Sequence, residues 1–472
     1  MIRPRTPPPG PLPEAERGGK KADGAWAPYL PSDDAPWNLR RVVHLHRRAG
    51  FAATWSEIQR DLKDGPKASL DRVLSGKSAT EGVPAEFHKI ADLLGESAAT
   101  SGDAARLKAW WIYRMLFGAD PLMERLVLMW HNHFATSNLK VENLMFMRRQ
   151  NELFRKLGRG PFGELLRAVV HDPAMLVWLD APSNRKSHPN ENLARELMEL
   201  FSMGIGHYTE RDVQEAARAL TGWCVEEDAF TEIAVRHDAG EKTILGHKGP
   251  WKGDDLVRMV LEHPATAHRL AWRVCELFLG EKALQRADID ALAEGLRARQ
   301  LDVGWAVETV LRSRRCFSDE NLGNRVLSPV EYVVGAARAL ELFDPPSSTL
   351  VLAEWCGRLG QDLFYPPNVG GWPGGRSWLT TRAVLGRANY AAALVEGKRV
   401  GRPGPMDALG LAGRYGEQDV VAFFTRLLLG TEPTLAWRSR LLAGGDPQGT
   451  NDMDAARRTV ALILAVPEAQ VS

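Results

Sequence analysis

Apolar positions recur at three- and four-residue intervals through most of this chain, and that spacing predicts helices. From Trp37 onward it gives a helical pair over 39–49 and 55–62, broken at Gly50. A helix over 104–117 turns Trp110, Trp111 and Met115 inward. Pro121 opens the next helix, where proline suits the first turn, with Leu122, Leu126 and Met129 on one stripe. Helices follow over 141–157, with Leu144, Met147 and Phe154 inward, and over 161–170. His171-Asp172-Pro173 then restarts the chain into 175–179. Thr209 caps a helix reaching about 220, with Glu210 and Asp212 in its first turn, where acids are favourable. The period continues over 254–262, 265–279, 289–299, 303–312, 329–343, 382–394, 418–429 and 455–465.

Two segments break the period. Residues 230–237 and 243–245, separated by Asp238-Ala239-Gly240-Glu241, read as one small β-hairpin. Residues 365–378 form a long irregular loop of glycine, proline and tryptophan, in which the prolines stiffen what the glycines would loosen. Such long loops are often functional. The sequence contains no GxxxxGK[ST] phosphate loop, GxSxG elbow or HExxH pair, and no repeat of fixed period. Before residue 37, prolines at 4, 7, 8, 9, 11, 13, 28, 31 and 36 leave too little apolar surface to offset ordering. The expected organisation is a disordered arm over 1–36, pinned near its end by Trp26, Tyr29 and Trp37. A main helical domain over 37–400 and a helical extension over 401–472 packed on it complete the chain. The fold class is mainly α: a large multi-helix domain with one small β-hairpin and the irregular loop.

Composition narrows the function classes. Of 472 residues, 44% are hydrophobic and 25% charged, as in soluble globular proteins. A net charge of +1 creates no global field for nucleic acid or an anionic membrane. Cys224, Cys275, Cys316 and Cys356 form no CxxC pair, which argues against a zinc ribbon and for buried free thiols. No apolar run approaches the roughly 20 residues of a membrane span. Arg3 and Arg5 are followed by prolines rather than an apolar segment, so the start does not read as a secretory signal and the expected location is cytoplasmic.

Candidate chemistry gathers in two stretches, Trp130-His131-Asn132-His133-Phe134 and Asn190-Glu191-Asn192 running into Arg195-Glu196 and Glu199. On a helix at about 100° per residue, Glu191, Asn192, Arg195, Glu196 and Glu199 fall within about 140°, while Leu193, Leu197, Met198, Leu200 and Phe201 take the other side. That face is either solvated, with Arg195 bridging its glutamates, or a carboxylate cluster aimed at a cleft. His131 and His133 would share one face of an extended segment and offer two metal ligands; on a helix they diverge by about 200°. Both geometries stay open. His237 closes a strand and offers a third ligand or a proton carrier, whereas Asp238 suits the turn itself. Asn368, Trp372 and Trp378 of the loop, with Trp223, are candidates for substrate contact, including stacking on a sugar.

These segments resemble the bacterial family called domain of unknown function 1800. The resemblance rests on His44-Leu45 through Arg48-Ala49-Gly50-Phe51, Met129 to Ser137, Asp172-Pro173-Ala174-Met175-Leu176, and Asn190 to Phe201. It continues through Tyr208-Thr209-Glu210, Ala219 to Trp223, His237-Asp238, Ser328-Pro329-Val330-Glu331, Pro366 to Val369 and Gly371 to Gly375. It covers about residues 38–395, and Pro467-Glu468-Ala469-Gln470 is similar to the usual ending. The family carries no established activity. The resemblance implies relatives that often look exported and often lie beside genes for a sulfatase- and phosphatase-like family.

Two functions are compatible with these features. One is a metal-assisted enzyme, oxidative or hydrolytic, holding a divalent transition metal (iron, manganese or zinc) on His131, His133, Glu191, Glu196 and Glu199, with Glu210, His237 and Asp238 as catalytic residues and Glu210 or His237 as the proton carrier. The other is a non-catalytic helical scaffold or chaperone for the sulfatase/phosphatase-like partner that the resemblance implies, its polar motifs serving as buried ion-pair and capping networks. Neither involves nucleic acid or a membrane span.

Overall fold

The computed structural model describes residues 24, 26–280, 285–442 and 453–472, and helices dominate it. Of the expected arm, residues 1–23 and 25 lie outside the described residues. The rest is tied down by its aromatic residues. Trp26 donates its indole N–H to the Asp288 carbonyl (2.9 Å), and Trp37 donates to the Asp61 carbonyl (3.0 Å). The Tyr29 ring lies 4.6 Å from that of Phe317.

Most helices form where the apolar period puts them, with caps that explain their starts. Asp120 accepts from the Met123 amide ahead of Pro121–His133, and Thr209 and Asp212 close a capping box on Glu210–Ala219. The helix expected over 55–62 extends to Leu74; the chain kinks at Gly65 (φ 81°) before Pro66 and resumes. Phe87–Thr100, Thr349–Arg358, Ala408–Arg414 and Leu435–Leu442 are helices that the sequence reading missed. In the first of these, Glu86 supplies no cap bond and Leu93 and Leu94 face solvent (63% and 43% exposed), which blurs the apolar stripe.

The strands pair locally. Trp223–Glu226 pairs antiparallel with Ala229–Glu232, and Lys242–Ile244 with His247–Gly249. Both segments of the expected hairpin therefore contain a strand, but each pairs with its immediate neighbour rather than with the other. The reason is in the turns. Glu227 and Asp228 (φ 49° and 60°), then Leu245 and Gly246 (φ 50° and 81°), place two successive residues at positive φ, as tight two-residue hairpins require. Asp238 is drawn away to Arg218 instead (2.7 Å).

Around a core that includes Trp110, Trp111, Trp130, Phe134 and Phe154, buried ion pairs join distant parts of the chain. Glu57 pairs with Arg338 (3.1 Å), Glu124 with Arg155 (2.6 Å) and Arg114 (3.3 Å), and Glu331 with Arg125 and Arg325. Beyond residue 401, Val420–Leu429 packs on Leu39–Ala49, and Met453–Ala465 packs on Thr381–Glu396. All four cysteines are free and buried. Among the described residues no helix is long and apolar enough to cross a membrane.

Candidate functional site

The first motif closes the Pro121–His133 helix, so His131 and His133 diverge as helical spacing requires. The His131 ring sits among Trp111 (5.3 Å), Phe364 (5.5 Å) and Trp372 (5.5 Å). It is 1% exposed, and burial pulls its pKa down to about 3, so the ring is neutral at all ordinary pH. Its Nε2 is buried with no hydrogen-bond partner among the described residues. His133 lies instead against Trp130 (5.5 Å) and Phe134 (4.5 Å), and its Nε2 is 3.1 Å from the Phe201 carbonyl.

Between them, Asn132 anchors the irregular loop. Its Oδ1 accepts from the Trp372 amide (2.7 Å). Gly371 has φ 75°, and a Cβ there would lie 2.1 Å from that same Oδ1. The close approach explains the glycine. Trp372 and Trp378 are buried (2% and 6% exposed), so the loop plugs the body rather than presenting its indoles. Trp223 is likewise buried, against His171 (4.7 Å) and Phe230 (5.2 Å). Asn368 is exposed and accepts from the Gly370 amide (2.9 Å), shaping the loop from within.

The second motif does not continue as the expected α-helix. Asn192–Glu196 is α-helical, but Leu197–Ser202 is π-helical, with Ser202 Oγ donating to the Leu197 carbonyl (2.5 Å). The wider turn re-aims everything after Leu197, and such turns are frequent at functional sites. The glutamates of this face meet different partners. Glu191 and Glu210 are both taken by Arg195, which meets Glu210 with two bonds of 2.8 Å and Glu191 with one of 2.8 Å. Glu199 accepts from the Tyr208 hydroxyl (2.6 Å), and burial together with Glu199 pushes that phenol's pKa up.

Glu196 differs from its neighbours. It is half-buried and takes part in no hydrogen bond or ion pair among the described residues. Burial, then the neighbouring Glu199 charge, push its pKa up to about 7, with Arg195 opposing weakly. Asp172 is also pushed up to about 7 by burial, but it is sealed and committed. It accepts from the Met175 amide (3.1 Å) and from Gln150 Nε2 (2.7 Å) at the start of Pro173–Trp178. Glu196 is only half-buried and keeps a solvent-facing side.

His237 and Asp238 belong to a separate turn. The His237 Nδ1 is 2.9 Å from the Thr221 carbonyl, and Asp238 is held by Arg218, which pulls its pKa down. With Glu210 bound to Arg195, the proton carriers expected from sequence are thus engaged in structural contacts. Among the described residues no group of three or more His, Cys, Asp or Glu side chains is arranged to hold a metal ion. His131 and His133 lie in separate aromatic surroundings, while Glu196 and Glu199 stay within electrostatic reach of each other.

A contribution the sequence reading missed comes from Pro264–Leu279, which packs on the π-helix. Arg273 is buried, pairs with Glu276 (2.9 Å) and donates to the Asn132 carbonyl (3.4 Å). Arg269 lies one turn earlier, its Cδ 3.9 Å from where a Cβ on Gly204 would be. The signal was present in the sequence, since two arginines four apart on an apolar helix share a face with Trp272. An interior space of about 30 Å³, lined by Phe51, Tyr332 and Leu464 among others, lies elsewhere and has room for roughly one water.

The family described as a protein of unknown function (DUF1800) matches residues 44–471. The chain belongs to this family. The match takes in both polar stretches, the irregular loop and the arginine pair of Pro264–Leu279, and it runs on past residue 395, where the recognisable motifs thin out. No curated protein and no solved structure matches the chain.

Proposed function

We propose that this DUF1800 member is an enzyme of acid–base chemistry, hydrolytic in type, with Glu196 as the group that gives and takes the proton. The observation that carries this reading is a half-buried carboxyl that has no partner and is poised near pH 7, beside a second carboxyl held by Tyr208. A proton carrier is most effective when its pKa lies near the working pH. A metal-assisted version would need ligands beyond Glu196 and Glu199. Because His131 and His133 sit in separate aromatic surroundings, the proposal places the proton chemistry on Glu196 itself.

The scaffold reading, with a sulfatase/phosphatase-like partner, draws support from a different observation. The motif residues Asp172 and Glu331 are fully engaged in capping and ion pairing.

Unfolding in urea across pH, for wild type and Glu196→Gln, distinguishes the two. A carboxyl whose pKa is raised in the folded state stabilises it below about pH 4.5, and that contribution is lost as pH rises through about 7. Allowing for partial solvent screening, wild type is expected to lose about 1–2 kcal/mol relative to Glu196→Gln between pH 4.5 and 8. Parallel curves for the two proteins would sink the acid–base reading and favour the scaffold.

A further inference from the structure

Arg269 and Arg273 stand four residues apart on Pro264–Leu279, on one face, with Trp272 between them. Both guanidinium groups lie over the Trp272 ring, at 5.5 and 5.9 Å. Such neighbours repel, so a chain that holds them together beside buried surface needs acceptors for them. Glu276 takes one donor of Arg273 (2.9 Å) and the Asn132 carbonyl another (3.4 Å). The Nε of each arginine is buried with no hydrogen-bond partner among the described residues. Arg269 has no ion pair or hydrogen bond at all among the described residues. A buried donor without an acceptor costs roughly 1–3 kcal/mol, more when charged, so both arginines keep unmet capacity for an acceptor. An oxygen anion would meet that capacity, because guanidinium groups bind phosphate, sulfate and carboxylate through parallel N–H bonds.

The position is built from the same elements as the proton site. Asn132 lies in the last turn of the helix that carries the two histidines, Gly204 comes two residues after the π-helix, and Glu199 lies within electrostatic reach of both Arg269 and Glu196. We propose that Arg269 and Arg273 form an oxyanion subsite that holds a phosphate, sulfate or carboxylate group of the substrate next to the Glu196–Glu199 pair. The binding of the anion stands on the arginines alone; its assignment to the substrate rests on the acid–base reading of Glu196.

The test titrates the full chain with sodium sulfate, sodium phosphate or sodium acetate at pH 7, against sodium chloride at matched ionic strength, and reads binding by calorimetry. Wild type is expected to bind at least one of the three saturably. A preference for sulfate or phosphate would assign an ester of that kind, and a preference for acetate a carboxylate. Arg269→Gln is expected to weaken the Kd at least ten-fold. Arg269→Lys keeps the charge but lacks Nε, is expected to weaken it as well, and carries the comparison if the glutamine variant does not fold. Glu196→Gln should bind the same anion at least as tightly as wild type. No saturable binding by wild type, or unchanged binding in the Arg269 variants, overturns the subsite. Intact binding with a Glu196 that does not titrate near pH 7 removes the proton chemistry and leaves the subsite standing.

Discussion

Replacing Glu331 by alanine is expected to cost about 3–5 kcal/mol of stability, the range for removing one partner of a buried ion pair. Glu331 is 3% exposed and faces Arg125 and Arg325, the former 1% exposed on its side chain. It also accepts from the Ser328 amide (2.7 Å), closing the capping box that starts Pro329–Ala339. Burial alone would raise its pKa, but the two arginines bring it down to about 2. Alanine would leave two guanidinium groups facing each other without a counter-charge. The depressed pKa sets the pH dependence. The contribution of Glu331 is present above about pH 4.5 and is lost as pH falls toward 2, so wild type and variant should converge in acid. Urea unfolding followed by far-UV circular dichroism at pH 7 and pH 3 measures both. A cost below about 1 kcal/mol at pH 7 would contradict the pairing described above.

Gly371→Ala is expected to cost about 3 kcal/mol, from positive-φ strain together with a broken, partly buried hydrogen bond. At φ 75° an L side chain is already unfavourable, and the added Cβ would meet Asn132 Oδ1 at 2.1 Å and the Asn132 carbonyl at 2.5 Å. The side chain that must move is the one accepting from the Trp372 amide. The loop should therefore lift from the helix end, carrying Trp372 off His131. A red-shifted tryptophan emission together with the lower unfolding midpoint would record it. An unshifted emission spectrum with unchanged stability would mean that the loop is not held by Asn132.

Helices were legible where caps and an apolar stripe agreed, as at Pro121–His133 and Glu210–Ala219. They were missed where either failed, as at Phe87–Thr100 with its exposed leucines and absent cap bond. The strand pairing was missed because Glu227-Asp228 is an unusual pair for a tight turn at positive φ, and nothing in its composition announces one. At the candidate site, the sequence located the polar stretches but could not tell their glutamates apart. Ideal helical arithmetic assumes one residue every 100°, and the π-turn at Leu197–Ser202 breaks that assumption from Glu199 onward. Arg195 does bridge Glu191, as the solvated-face alternative had it, while Glu196 escapes the bridge. The spacing of Arg269 and Arg273 was in the sequence, but their meeting with Asn132 and Glu199 was not, because it depends on contacts across well over sixty residues of chain.

The central claim is that Glu196 exchanges a proton near neutral pH. Carbon NMR of protein labelled at the glutamate side-chain carboxyls, titrated from pH 4 to 9 beside Glu196→Gln, tests it most directly. The account predicts a carboxyl resonance with its midpoint near pH 7 that is missing from the variant. A spectrum in which every carboxyl titrates below about pH 5.5, or in which the neutral-pH resonance survives the substitution, would contradict it.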